Sequence, residues 1–106
     1  MSEVRQADVS EHALKDGVRV FPNPTSQVSV RGHVLIAGSP LPMGYVRLLD
    51  PDGEFVAEVP LAADGAFTFY PTPGQWTLRL LAPGGLRADR TVSAEAGMVT
   101  EVELTL

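Results

Sequence analysis

Three carboxylates, Asp50, Asp52 and Glu54, alternate around Gly53, and oxygen donors so spaced are what a calcium loop would use. A full loop also needs further oxygen ligands in a row and a distal bidentate carboxylate, and this segment lacks them. Asp50-Pro51-Asp52-Gly53 is equally what a tight turn is made of. Proline fixes φ at the second place and glycine takes the positive φ that follows. The turn accounts for these residues without a metal. His12 and His33 are the histidines, the residue type suited to general-base work or zinc. No third ligand accompanies them. His33 falls on an outward strand phase and His12 in an N-terminal arm, so both read as surface residues. Ser10, Ser26, Ser29, Ser39 and Ser93 are available as nucleophiles, but none stands in a G-x-S-x-G context beside a base and an orienting acid. Gly84-Gly85 has no following lysine of the phosphate-loop pattern and reads as a turn. Cysteine is absent, which removes disulfides, thiolate metal sites and cysteine nucleophiles together. The expectation is a protein with no catalytic residues, no metal and no cofactor, and hence no enzyme.

One constellation survives that sorting. Tyr45, Arg47 and Leu49 share the outward phase of one strand pattern, and Thr77, Arg79 and Leu81 share that of another. If the two strands are neighbours, a tyrosine and two arginines cluster on one sheet face, a composition common at protein contacts. The plainer account is a solvated face on which arginine stems cover apolar atoms. Tyr45, Arg47, Leu49, Arg79 and Leu81 are therefore the candidate interaction surface.

The elements that would position them follow from punctuation and period. The chain has 106 residues, one domain's length, with 44% hydrophobic and 20% charged residues, the balance of a folded globular chain. Gly 10 and Pro 9 are too dense for long helices, since each costs a helix interior about 1–3 kcal/mol. From Val28 onward apolar residues recur every second position, broken by turn residues about every ten. This spacing predicts seven strands in an antiparallel β-sandwich. The expected inward set is Val30, Val34, Val46, Leu48, Phe55, Phe67, Phe69, Trp76, Leu78, Leu80, Val102 and Leu104. Residues 1–27 read as a flexible arm with at best a two-turn helix over Ser10–Gly17, from which Val18, Val20 and Phe21 dock on the sandwich of residues 28–106. The net charge of −5 and the scattered Lys and Arg residues argue against nucleic acid. No apolar run reaches the ~20 residues that span a bilayer. The N-terminal segment has no apolar signal core, so a cytoplasmic location is expected.

The residues also resemble a known family. Val30-x-Gly32-x-Val34, Gly38-x-Pro40, Asp64-Gly65-x-Phe67-x-Phe69 and Pro73-Gly74-x-Trp76-x-Leu78 are similar to the carboxypeptidase-regulatory-like sandwich, a prealbumin-like Greek-key fold. Gly44-Tyr45-Val46-Arg47-Leu48-Leu49-Asp50, Gly53-Glu54-Phe55-x-Ala57-Glu58-Val59, Trp76-Thr77-Leu78-Arg79 and Ala88-Asp89-Arg90-Thr91-Val92 resemble one small actinobacterial family of uncharacterised domains. Genes of that family often lie beside those of thiosulfate sulfurtransferases. The resemblance covers residues 28–106. Family members tend to carry a cysteine near the N-terminus, whereas Met1–Gln27 has none, so a sulfur-handling thiol does not carry over. Hydroxyisourate hydrolases of the prealbumin fold end in Tyr-Arg-Gly-Ser, and this chain reads Glu103-Leu104-Thr105-Leu106 there. A complete core without convergent catalytic groups, together with the Tyr/Arg outer face, points to a non-enzymatic module that binds a protein partner or self-associates, and the resemblance nominates a sulfurtransferase as that partner. A small-ligand or carbohydrate-binding sandwich is the alternative, for which Tyr45 and Tyr70 are the aromatic candidates.

Overall fold

A computed structural model describes residues 17–106. The strands are β1 (Val18–Pro22), β2 (Ser29–Ile36), β3 (Ser39–Pro40), β4 (Tyr45–Leu49), β5 (Phe55–Pro60), β6 (Ala66–Phe69), β7 (Gly74–Ala82), β8 (Leu86–Ala94) and β9 (Met98–Thr105). A 3-10 turn at Pro83–Gly85 joins β7 to β8. One sheet runs β1-β9-β2, with β3 and β6 sharing the other side of β2; the second sheet runs β5-β4-β7-β8. The seven expected strands are present, packed as a sandwich, and β1 and β3 add to them.

Three features depart from the expectation. The sheet containing β2 is mixed rather than antiparallel, because β2 and β9 run parallel from Ser29↔Val99 to Leu35↔Thr105. Parallel neighbours need a long crossover, and here everything between β2 and β9 supplies it. Second, part of the expected arm is strand. Val18–Pro22 pairs antiparallel with β9, from Val18↔Val102 to Pro22↔Met98. The helix expected over Ser10–Gly17 lies outside the described residues apart from Gly17. Third, Phe55 points outward. The β4–β5 register slips between Leu48↔Ala57 and Leu49↔Phe55, leaving Val56 as an extra residue. This bulge moves Phe55 from the core phase of Ala57 and Val59 to the outer face, where it is 58% exposed.

The remaining inward set forms the core. Val30, Val34, Val46, Leu48, Phe67, Phe69, Leu78, Leu80, Val102 and Leu104 are buried together with Leu61, Val92 and Ala94, and Trp76 packs against them. Burying such side chains is worth about 1.5–3 kcal/mol each, the main return against chain entropy. The Trp76 indole N–H donates to the Thr72 carbonyl at 2.9 Å, so its polar edge is satisfied as the ring enters the core. The turns use the residues that suggested chemistry. Asp50 Oδ1 accepts the N–H groups of Asp52 and Glu54, each at 2.9 Å, while Gly53 takes φ +83°. Asp64 Oδ1 accepts the Ala66 N–H in the turn before β6.

Gly32 is the tightest point of the sheet. It lies between Val102 of β9 and Phe67 of β6. A methyl group at position 32 would lie 1.9 Å from the Val102 carbonyl oxygen and 3.0 Å from Phe67 Cζ. The oxygen is backbone, so it can retreat only if β9 moves. Gly32→Ala is therefore expected to destabilise the fold by roughly 3 kcal/mol, at the upper end of overpacking costs. Gly53→Ala, in open space, would show only the strain of its positive φ, about 1 kcal/mol. Denaturant titration of the two variants checks this; equal midpoints would refute the close-approach argument.

Candidate functional site

The alternation of hydrogen bonding along β4 decides how the candidate residues meet. The Leu61 N–H donates to the Gly44 carbonyl at 2.9 Å, so residue 44 turns its backbone toward β5. Residues 46 and 48 do the same, and Tyr45, Arg47 and Leu49 turn theirs toward β7. Tyr45↔Leu81, Arg47↔Arg79 and Leu49↔Thr77 are the facing pairs across β4 and β7. All five candidate residues thus lie on the outer face of one strand pair, as their spacing required.

Across the sheet, one row reads Glu58, Arg47, Arg79, Asp89. Two arginines directly opposite each other would normally destabilise a sheet. The alternation separates them. Arg47↔Arg79 is a hydrogen-bonded pair, the wider kind, with Cα atoms about 5.5 Å apart. Arg47↔Glu58 and Arg79↔Asp89 are non-hydrogen-bonded pairs, the narrower kind at about 4.5 Å. Each guanidinium therefore sits closer to its acid than to its like. Arg47 Nε donates to Glu58 Oε1 at 2.7 Å. Arg79 binds Asp89 through Nε and Nη2, both at 2.9 Å, a bidentate fork.

The rows on either side differ. Leu49 is on the outer face yet only 5% exposed, and its cross-strand neighbour Phe55 carries the Arg47 guanidinium 5.5 Å from its ring centroid. The plain reading, arginine covering apolar surface, holds at this end. On the opposite sheet it holds again, where Arg19 and Arg31 lie 4.9 and 5.5 Å from the Phe21 ring and both pair with Glu101. It does not hold at Tyr45. That ring is 49% exposed, and among the described residues no guanidinium lies over it. Tyr45 instead borders an apolar depression of about 470 Å³ with Met43, Pro60, Leu81 and Pro83. Met43 is 64% exposed at its rim. Sequence spacing missed Met43 and Pro60, because they lie outside the two outward phases that defined the cluster; the Pro42-Met43-Gly44 break before β4 was the available signal.

The other chemistry-bearing residues are dispersed. His33 Nε2 lies 3.6 Å from Asp64 Oδ2 at an exposed position on the opposite sheet. Among the described residues, no three His, Asp or Glu side chains converge on a common point.

The chain belongs to the family described as "Protein of unknown function (DUF1416)", which residues 7–106 match. It is similar to two uncharacterized proteins of Mycobacterium tuberculosis, Rv0814c and Rv3118, at 42% identity over 62 residues, 58% of this chain and 61% of each relative. An uncharacterized protein of Mycolicibacterium smegmatis is 42% identical over 60 residues, 57% of this chain and 66% of that one. The match thus spans less than two-thirds of these curated relatives' length. Among solved structures, the dioxygenase domain of a dioxygenase–carbohydrate-binding protein fusion from Streptomyces sp. SirexAA-E aligns with TM-score 0.55 at 18% identity, over 81% of this chain and 84% of that one. A 9R-lipoxygenase from Cyanothece PCC8801 aligns with TM-score 0.51 at 15% identity, over 95% of this chain and 20% of the other. Both likenesses are of fold alone. Among the described residues, no helix is long and apolar enough to cross a membrane.

The bidentate fork makes Asp89 the titratable group with a readable consequence. Hydrogen bonding from Arg79 holds its carboxyl below the ordinary value; partial desolvation opposes this, and the charges of Arg79 and Arg87 add to it. A lowered folded-state pKa contributes stability above the unfolded carboxyl value of about 3.9, and that contribution is lost as pH falls through the folded pKa. Asp89→Asn is expected to lower the melting temperature slightly at neutral pH, since exposed pairs contribute little. The gap to the parent should close in the acid range below that value. A gap independent of pH would show that the fork does not set the titration.

Proposed function

We propose that this chain is a non-enzymatic β-sandwich module that binds a protein partner through the outer face of β4 and β7. The observation that carries the reading is Tyr45 with Met43 and Leu81, an exposed apolar rim beside the Arg47–Arg79 pair. Interface cores favour tyrosine, methionine and arginine, and a pocket between an aromatic and several prolines accepts an apolar anchor. Arg47 spends one donor on Glu58, and its remaining N–H groups, without an acceptor among the described residues, are available for a partner's oxygen atoms. The family resemblance nominates a sulfurtransferase as partner and a carboxypeptidase-regulatory-like, prealbumin-like ancestry, and the reading carries with it the cytoplasmic setting expected from the sequence. With no cysteine in the chain, its part in sulfur chemistry would be to modulate that partner rather than to carry a persulfide.

A small apolar ligand in the same depression is the second reading. The volume of about 470 Å³ falls within the range of small-molecule sites. A thermal-shift screen of glycans and metabolites separates it from the first reading, because a protein-docking rim would leave the melting temperature unmoved.

The main test is co-purification of the tagged full chain from an actinobacterial host, followed by direct titration against the purified sulfurtransferase. Tyr45→Ala combined with Arg47→Ala should reduce partner recovery about tenfold or more, as loss of an interface anchor does, without a large change in melting temperature. Recovery unchanged by the double variant, or a chain that emerges alone, would refute the proposal.

A further inference from the structure

We propose that β8 is a pairing edge for a second copy of this chain, joining two four-stranded sheets into one continuous sheet about a two-fold axis at Ala88. The inference concerns the edge beyond β7, where Arg87 faces Leu81 of the Tyr45 rim, and does not rest on the docking role of that rim.

Every sandwich must deal with its open edges, which offer unpaired N–H and C=O groups to other strands. Here the edges are treated differently. β1 has five residues and ends at Pro22; β3 has two and β6 has four. β5 carries the bulge at Val56 and ends at Pro60. The alternation established at Gly44↔Leu61 turns the backbone of residue 60 away from β4, so this proline removes an N–H from the open edge. β8 has none of these devices. It runs nine residues, Leu86–Ala94, without proline and without a register shift against β7.

The same alternation, carried through β7, fixes which groups of β8 are open. Residues 76, 78 and 80 of β7 face β8, so Val92, Arg90 and Ala88 spend their backbone groups on β7. Arg87, Asp89, Thr91 and Ser93 turn theirs to the open side. Ser93 confirms the phase independently, since its carbonyl accepts the Thr100 hydroxyl from the other sheet at 2.8 Å. That bond also closes the far end of the edge and leaves Arg87–Thr91 without a partner strand among the described residues.

Charge then selects the register. Antiparallel self-pairing centred on residue 87 or 89 sets Arg87 or Asp89 against its own copy. Centring on residue 90 opposes the two Arg90 side chains. Centring on Ala88 places Arg87 opposite Asp89 of the second copy, twice by symmetry, with alanine facing alanine between them. Each Arg87–Asp89 pair would exchange both backbone hydrogen bonds and carry opposite charges on the outer face. Asp89 would then lie between its own Arg79 and the second copy's Arg87. An edge contact of this length is small, so the association should be weak.

Sedimentation of the full chain from micromolar to millimolar concentration tests this. A monomer–dimer equilibrium is expected, with dimer accumulating at the upper end. Arg87→Glu and Asp89→Arg should each weaken it about tenfold or more, and an equimolar mixture of the two should restore it, because each then faces the charge it needs. Arg87→Pro removes an N–H that no strand among the described residues uses; it should abolish the dimer while circular dichroism shows the fold intact. Ala88→Cys, in a chain with no other cysteine, should cross-link under mild oxidation, as the facing pair at the axis has disulfide spacing. A monomer at every concentration would overturn the proposal. So would a dimer indifferent to Arg87→Glu and Arg87→Pro, a mixture that does not recover, or failure of Ala88→Cys to cross-link. A dimer abolished by Tyr45→Ala but not by these changes would move self-association to the apolar rim and equally overturn it.

Discussion

The close approach of β9 to Gly32 is the constraint on which the sandwich rests. β2 is the strand that β3, β6 and β9 all pair with, and β9 in turn holds β1. Parallel pairing of β2 and β9 brings the Val102 carbonyl to where any Cβ at residue 32 would be. The missing side chain is also the space against which the Phe67 ring packs. From β9, the Thr100 hydroxyl reaches across to Ser93 of β8 and ties the mixed sheet to the four-stranded one. The alignment of the two sheets, and through it the setting of the β4–β7 face, follows from how closely β9 seats on β2.

Much of this was legible from residue periods. The seven strands from Val28 onward alternate cleanly, and turn residues at Gly38, Gly53, Gly65 and Gly84 stand where the chain reverses. What was not legible has physical reasons. A parallel pair between the first and last of those strands leaves no local mark, because it is made by contacts far apart in sequence. β1 alternates over too few residues, between Gly17 and Pro22, to stand out from a docked arm. The Phe55 phase failed because one extra residue reverses every side chain beyond it, and a bulge carries no composition of its own beside the Asp-Pro-Asp-Gly turn. The candidate cluster was legible for the opposite reason. It depended only on two strands being neighbours, and both alternate without a break where they pair.

The Glu58-Arg47-Arg79-Asp89 row shows how pairing geometry tolerates a local conflict. Facing arginines in the narrow kind of pair would repel at short range, and here they occupy the wide kind while each acid occupies the narrow kind. One shift of register between β4 and β7 would exchange these roles and bring Val46 and Leu48 to the surface as well. Charge and core therefore specify the same register. The row is neutral as a whole, so it does not draw ligands from a distance; it offers directed donors to whatever already lies against the face.

That leaves the difference between aromatic residues on the two sheets as the evidence for a docking role. Exposed aromatic rings are ordinary in small sandwiches; here exposed Phe55 and half-buried Phe21 lie under guanidinium groups, whereas Tyr45 and Tyr70 are exposed without that cover among the described residues. Tyr45 stands one row from Arg47, within reach of similar cover. Arg47 instead lies toward Glu58 and Phe55, on the side away from the depression. Met43, Tyr45, Leu81 and the prolines around them thus form one apolar patch flanked by Arg47 along β4 and by Arg87 opposite Leu81. A patch covered in the same manner as Phe21 would need no partner. One left open beside a guanidinium with unspent donors is shaped for an apolar anchor that brings an oxygen acceptor with it.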